Sequence, residues 1–89
     1  MKLRKGFVMR NVCGDNVIVG EGLEQINFNK LLTLNDTAAF LWEEAGKGEF
    51  TIESLVKALT DNYEVDADMA TTDVKRIVDK WFELEVIEN

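Results

Sequence analysis

Apolar positions along the first part of the chain sit in short clusters, whereas beyond residue 35 they recur every three or four residues. From Phe7 to Val12 strand formers put Phe7, Met9 and Asn11 on one face and Val8, Arg10 and Val12 on the other. Gly14-Asp15-Asn16 is turn chemistry, because these residues tolerate positive φ, and Val17-Ile18-Val19 resumes an extended pattern that ends at Gly20 and Gly22. This predicts a β-hairpin with strands over about 7–13 and 16–20. Residues 23–29 fit two readings: Leu23, Ile26 and Asn27 suit one helical turn, Ile26 and Phe28 a strand. Lys30-Leu31-Leu32-Thr33-Leu34 reads as a third strand over 30–34, apolar at both parities, so that both faces or an edge become covered.

Three helices follow, each with its own start signal. Asn35 is placed as an N-cap, with Asp36 in the first turn, where the helix dipole favours a negative charge. Ala38, Leu41, Trp42 and Ala45 form the inward stripe of a helix over 36–45, and Gly46 and Gly48 supply its stop. Thr51 caps a helix over 51–64 that carries Ile52, Leu55, Val56 and Leu59, with Tyr63 one turn further. Asp66 caps the longest, 66–84, whose stripe is Ala70, Val74, Ile77, Val78, Trp81 and Phe82. Lys75–Asp79 and Asp73–Arg76 are spaced to pair along its outer face. Val86-Ile87 leaves the helix as a terminal apolar contact. Strand, strand, strand, helix, helix, helix predicts an α+β, winged-helix-like domain over 1–89. In it a small three-stranded antiparallel sheet precedes a tri-helical helix-turn-helix core.

Composition then removes most chemistry. Eighty-nine residues suffice for one small core, and 46% apolar content is that of a folded chain. With no histidine, one cysteine and one serine there is no Ser-His or Cys-His nucleophile pair, no imidazole base and no His-containing zinc site. The six glycines form neither GxGxxG nor GxxxxGK[ST]. Asp61, Glu64, Asp66 and Asp68 do not follow an EF-hand loop, and capping accounts for Asp66 and Asp68. The expectation is a non-catalytic binding module with no metal and no cofactor. Cys13 is expected to be a small strand hydrophobe, Phe40 and Trp42 core residues. The longest apolar run, 38–42, is far short of the roughly 20 residues of a membrane span, no signal-peptide h-region follows the basic start, and a cytoplasmic setting is expected.

Charge argues against the nucleic-acid role common for winged helices. Residues 1–14 carry +4 from Lys2, Arg4, Lys5 and Arg10, while 15–89 carry −11, giving −7 in all. The basic arm is expected to be solvated. The third helix sets Asp66, Asp68, Asp73, Asp79 and Glu83 against Lys75, Arg76 and Lys80, a poor face for a phosphate backbone. A DNA-binding transcriptional regulator is therefore the second reading, and a structural homodimer that buries its edge strand a third.

Residues 27–42 carry something more specific. Phe28-Asn29-Lys30-Leu31-Leu32-Thr33-Leu34 resembles the F-N-G-x-I-x-L strand of the PqqD family, and Leu34-Asn35-Asp36-Thr37-Ala38-Ala39-Phe40-Leu41-Trp42 its L-N-[ED]-T-[AG]-A-x-[IL]-W. Gly48-Glu49-Phe50-Thr51-Ile52-Glu53-Ser54-Leu55-Val56 is similar to the family's G-x-x-T-[IV]-E-E-[IL]-V, and Tyr63-Glu64-Val65-Asp66 recurs in register, so that the likeness runs from Gly6 onward. Lys30 and Glu85 stand where relatives carry glycine. The resemblance implies a recognition element for ribosomally made precursor peptides. Such an element binds the leader and presents the core to a modifying enzyme, often a radical S-adenosylmethionine protein. Pyrroloquinoline quinone as the product is not implied. On this reading a leader adds as a strand to the edge of 30–34 and drops side chains into a cleft against the third helix. The expected contacts are Lys30, Leu31, Leu32 and Thr33 on the strand, and Val74, Ile77, Val78 and Trp81 on the helix.

Overall fold

The computed structural model describes residues 1–20 and 32–88. The ambiguous stretch 23–29 and the first two positions of the expected third strand, Lys30 and Leu31, lie outside the described residues. The elements are β1 (Lys2–Leu3), β2 (Phe7–Val12), β3 (Asp15–Gly20), β4 (Leu32–Leu34), α1 (Asp36–Ala45), α2 (Ile52–Asn62), α3 (Ala67–Glu83) and β5 (Ile87–Glu88). Strands β2, β3 and β4 form an antiparallel sheet in that order, and β1 pairs with β5 in a separate two-stranded sheet. The three-stranded sheet and three helices are the expected α+β, winged-helix-like architecture.

The hairpin turns earlier than its glycine-aspartate-asparagine run suggests. Val12 pairs with Asp15, leaving Cys13-Gly14 as a two-residue loop, with φ of 53° and 87°. Two consecutive positive φ values are what a type I′ turn requires, because its twist matches that of the flanking strands. Asp15 and Asn16 consequently belong to β3, and Cys13 is exposed at the hairpin tip instead of packing within a strand.

Each helix starts on its cap. Asn35 Oδ1 accepts from the Ala38 amide at 2.8 Å and Asp66 Oδ1 from the Met69 amide at 2.7 Å. Thr51 and Ser54 exchange bonds in a capping box: Ser54 N–H donates to Thr51 Oγ1 at 3.0 Å and Thr51 N–H to Ser54 Oγ at 2.9 Å. Helix α2 ends at Asn62, and extended Tyr63 stands off the helix with its ring edge-on to Phe40, centroids 5.3 Å apart. Phe40 itself is half-buried. Helix α3 closes through two bonds, Val86 N–H to Trp81 O and Glu85 N–H to Phe82 O, both 3.1 Å, with Glu85 at a φ of 60°. That is a Schellman motif with glutamate at the left-handed position.

The core takes one contribution from every layer: Ile18 and Leu34 from the sheet, Leu41 and Trp42 from α1, Leu55 and Leu59 from α2, Val74, Val78 and Trp81 from α3, and Val86 and Ile87 from the tail. Among the described residues no polar or charged side chain is buried. The chain start is fastened to this core. Met1 and Phe50 exchange bonds of 3.0 and 2.7 Å, and the Arg4 amide donates to Val86 O at 2.9 Å. The basic arm is therefore not simply solvated, since Lys2 and Arg4 both reach the Glu88 carboxylate, at 3.5 and 3.8 Å.

Candidate functional site

Among the described residues β4 is the edge of its sheet: it pairs with β3 through Leu32–Ile18, Thr33–Val17 and Leu34–Asn16, and the sheet order ends with it. In an antiparallel ladder alternate residues aim their N–H and C=O groups at the neighbouring strand, and the rest point away from it. Side chains alternate across the strand as well. Leu34 is buried, Leu32 half-buried and Thr33 exposed, so the two leucines share the inner face. The position of β4 follows from Asn35, whose cap starts α1 one residue after the strand ends.

Beside β4 lies a groove of about 670 Å³ whose far wall is the C-terminal half of α3. Leu32, Leu34 and Ala38 form its near side, Ile77 and Trp81 its apolar floor, and Arg76, Asp79, Lys80 and Glu83 its polar rim. Arg76 is engaged by Asp73 one turn back, Nη2 to Oδ1 at 3.2 Å. The other spaced pair, Lys75–Asp79, does not form, and Lys75 is directed to a different surface.

The sequence-derived contacts divide in three. Leu32, Thr33, Ile77 and Trp81 are brought together on the groove. Lys30 and Leu31 are outside the described residues. Val74 and Val78 are only 0% and 1% exposed, do not line the groove and pack in the core. The tail residues Val86 and Ile87 are buried in the same core as this helical stripe, and the Val86 amide bonds Trp81 O. Trp81 is also 1% exposed and presents only a sliver of ring to the groove. Leu34, Asn35 and Ala38 on one side and Arg76, Asp79, Lys80 and Glu83 on the other were missed as groove residues. The signal that could have found Arg76 and Lys80 is their spacing of three from Ile77 to Lys80 and of one to Arg76, on the flank of the stripe nearest the sheet. No group of three or more metal-binding side chains is clustered among the described residues, and no helix among them is long and apolar enough to cross a membrane.

A tri-helical core carrying a three-stranded antiparallel sheet, with an edge strand beside an apolar groove, is a winged-helix-like α+β domain. The profile of the family described as Coenzyme PQQ synthesis protein D (PqqD) matches residues 17–87, and the chain belongs to that family. Among solved structures the fold is similar to one titled "TbiB1 in Complex with the TbiA(beta) Leader Peptide", with a TM-score of 0.77 and 18% identity, over 100% of this chain and 96% of that one. Among curated proteins no match reaches significance.

Proposed function

We propose that this protein is a non-catalytic adaptor that captures the leader of a ribosomally synthesised precursor peptide and presents it to a modifying enzyme. The leader adds as a fourth strand along the outer edge of β4, through main-chain hydrogen bonds that any sequence can make. Specificity comes from alternate side chains of the leader entering the groove between β4 and α3. The observation that carries the reading is that edge strand lying beside an apolar groove, on Leu32, Ile77 and Trp81. Membership of the PqqD family supports it, as does the fold shared with a protein whose structure is titled as a leader-peptide complex. The partner that the family resemblance suggests is a radical S-adenosylmethionine enzyme, and the cytoplasm is the setting in which such a pair would meet.

The test is an NMR amide titration, followed in parallel by Trp fluorescence, with the leader of a short peptide encoded beside this gene and, separately, with a random DNA duplex. Saturable shifts at Leu32–Leu34 and around Ile77 and Lys80 with peptide alone are expected, and Thr33→Pro, which removes an amide facing the outer edge because its partner Val17 is turned toward β2, should abolish them while the dispersion of the spectrum persists. Silence toward peptide with salt-sensitive shifts on adding DNA would replace the adaptor by a nucleic-acid-binding role.

A further inference from the structure

Helix α3 has a second flank. On the side of its buried stripe away from Ile77 and Lys80, α3 and α2 enclose another groove, of about 540 Å³. Its apolar floor is Ile52 and Val56 of α2, both half-buried, and its rim carries Glu53 and Lys57 of α2 and Lys75 of α3. Phe82, 37% exposed, comes seven residues after Lys75, which at 3.6 residues per turn returns it to within about 20° of the same line along the helix.

The charges at this rim are not all satisfied within the chain. Lys57 is held by Asp61 at 2.9 Å. Glu53 and Lys75, by contrast, make no ion pair among the described residues, although Asp79 stands one turn beyond Lys75. An acid and a base that line one apolar groove without pairing are self-complementary. Under a two-fold axis Glu53 of each copy faces Lys75 of the other, and a two-fold contact uses the same patch on both copies. A chain of net charge −7 repels its copies at long range, so a contact between them must place opposite charges together, and this groove offers both signs.

We propose that the α2–α3 groove is the interface of a two-fold homodimer. Ile52 and Val56 form its apolar centre, exposed Phe82 extends the apolar surface further along α3, and reciprocal Glu53–Lys75 pairs form its rim. The β4 groove lies on the opposite flank of α3, so both copies keep it open. The proposal therefore stands independently of what that groove binds.

Sedimentation equilibrium across a concentration series, with circular dichroism on each variant, tests it. The mass is expected to rise from 10.1 kDa toward twice that value. Glu53→Lys or Lys75→Glu alone should hold it at the monomer, because each sets like charges together, and both side chains are exposed so the fold is retained. The double variant Glu53→Lys/Lys75→Glu should associate again, an outcome that a general change in net charge cannot produce. A 10.1 kDa mass at every concentration overturns the proposal and leaves the groove to a different protein. So does a double variant that fails to associate, or a dimer that Ile77→Glu dissociates, which would place the contact on the β4 side.

Discussion

The indole rings of Trp42 and Trp81 meet edge to face, with centroids 5.3 Å apart and planes at 89°, and join α1 to the C-terminal half of α3. The Phe50 ring adds a second edge-to-face contact with Trp81 at 6.5 Å. This arrangement matches the ring quadrupoles and is worth more than the buried area alone. Because Trp81 is also the floor of the β4 groove, the site rests directly on the core.

Truncation of that ring should therefore be among the costliest single changes. Trp81→Ala is expected to lose about 3–5 kcal/mol of stability, the range for large aromatic deletions in packed cores. Urea unfolding followed by circular dichroism measures this. A midpoint within error of the parent would mean that the ring is not packed as described.

Glu85 offers the opposite sign. It occupies the left-handed position of the α3 Schellman motif at a φ of 60°, where a side chain crowds the following carbonyl and glycine does not. Glu85→Gly should raise stability by about 1 kcal/mol, and for a domain of this size that is roughly 4–8 °C in Tm. A lower Tm would show that the glutamate side chain contributes more than its backbone costs.

The residues of α1, α2 and α3 announce these helices because every signal is local: Asn35, Thr51 and Asp66 sit at the starts, and apolar residues follow at spacings of three and four. The β1–β5 sheet left no such trace. It joins Lys2 to Glu88 and Leu3 to Ile87, pairs at opposite ends of the sequence, and strands of two residues carry no period. The same distance effect hid the fate of Val74 and Val78. Periodicity placed both on the inner stripe of α3, but whether a stripe residue is wholly covered or borders a groove is decided by the elements that pack on it from elsewhere in the sequence. Leu32 and Ile77 were legible as a pair because an edge strand and a helix flank each show in local pattern; the polar rim, set by the packing angle of α3, does not.

The hairpin tip gives a third test. Cys13 holds a φ of 53° at the first loop position of the turn between β2 and β3, a conformation that asparagine adopts at less cost. Cys13→Asn should stabilise by about 0.5–1 kcal/mol, while Cys13→Val, branched at Cβ, should destabilise by at least as much. Thermal melts of the two variants beside the parent are sufficient. The same sign for both would contradict a type I′ turn here.

Val74 and Ile77 lie one turn apart on α3 yet should separate stability from binding. Val74 is fully buried away from the groove, whereas Ile77 is half-buried and lines it. Val74→Ala removes two buried methyl groups, costs about 2 kcal/mol with its cavity, and leaves the lining of the groove as it was. Its leader affinity, measured by calorimetry where the variant remains folded, should equal that of the parent. Ile77→Glu gives up only the covered half of one side chain, about 1 kcal/mol, and keeps a good helix former. It places a carboxylate on the apolar floor, where an entering side chain would have to desolvate it, and binding should fall by at least about tenfold for 1.4 kcal/mol of unpaired desolvation. If instead Val74→Ala weakened binding while Ile77→Glu did not, the leader would have to open the core to bind, and the preformed groove beside β4 would not be its site.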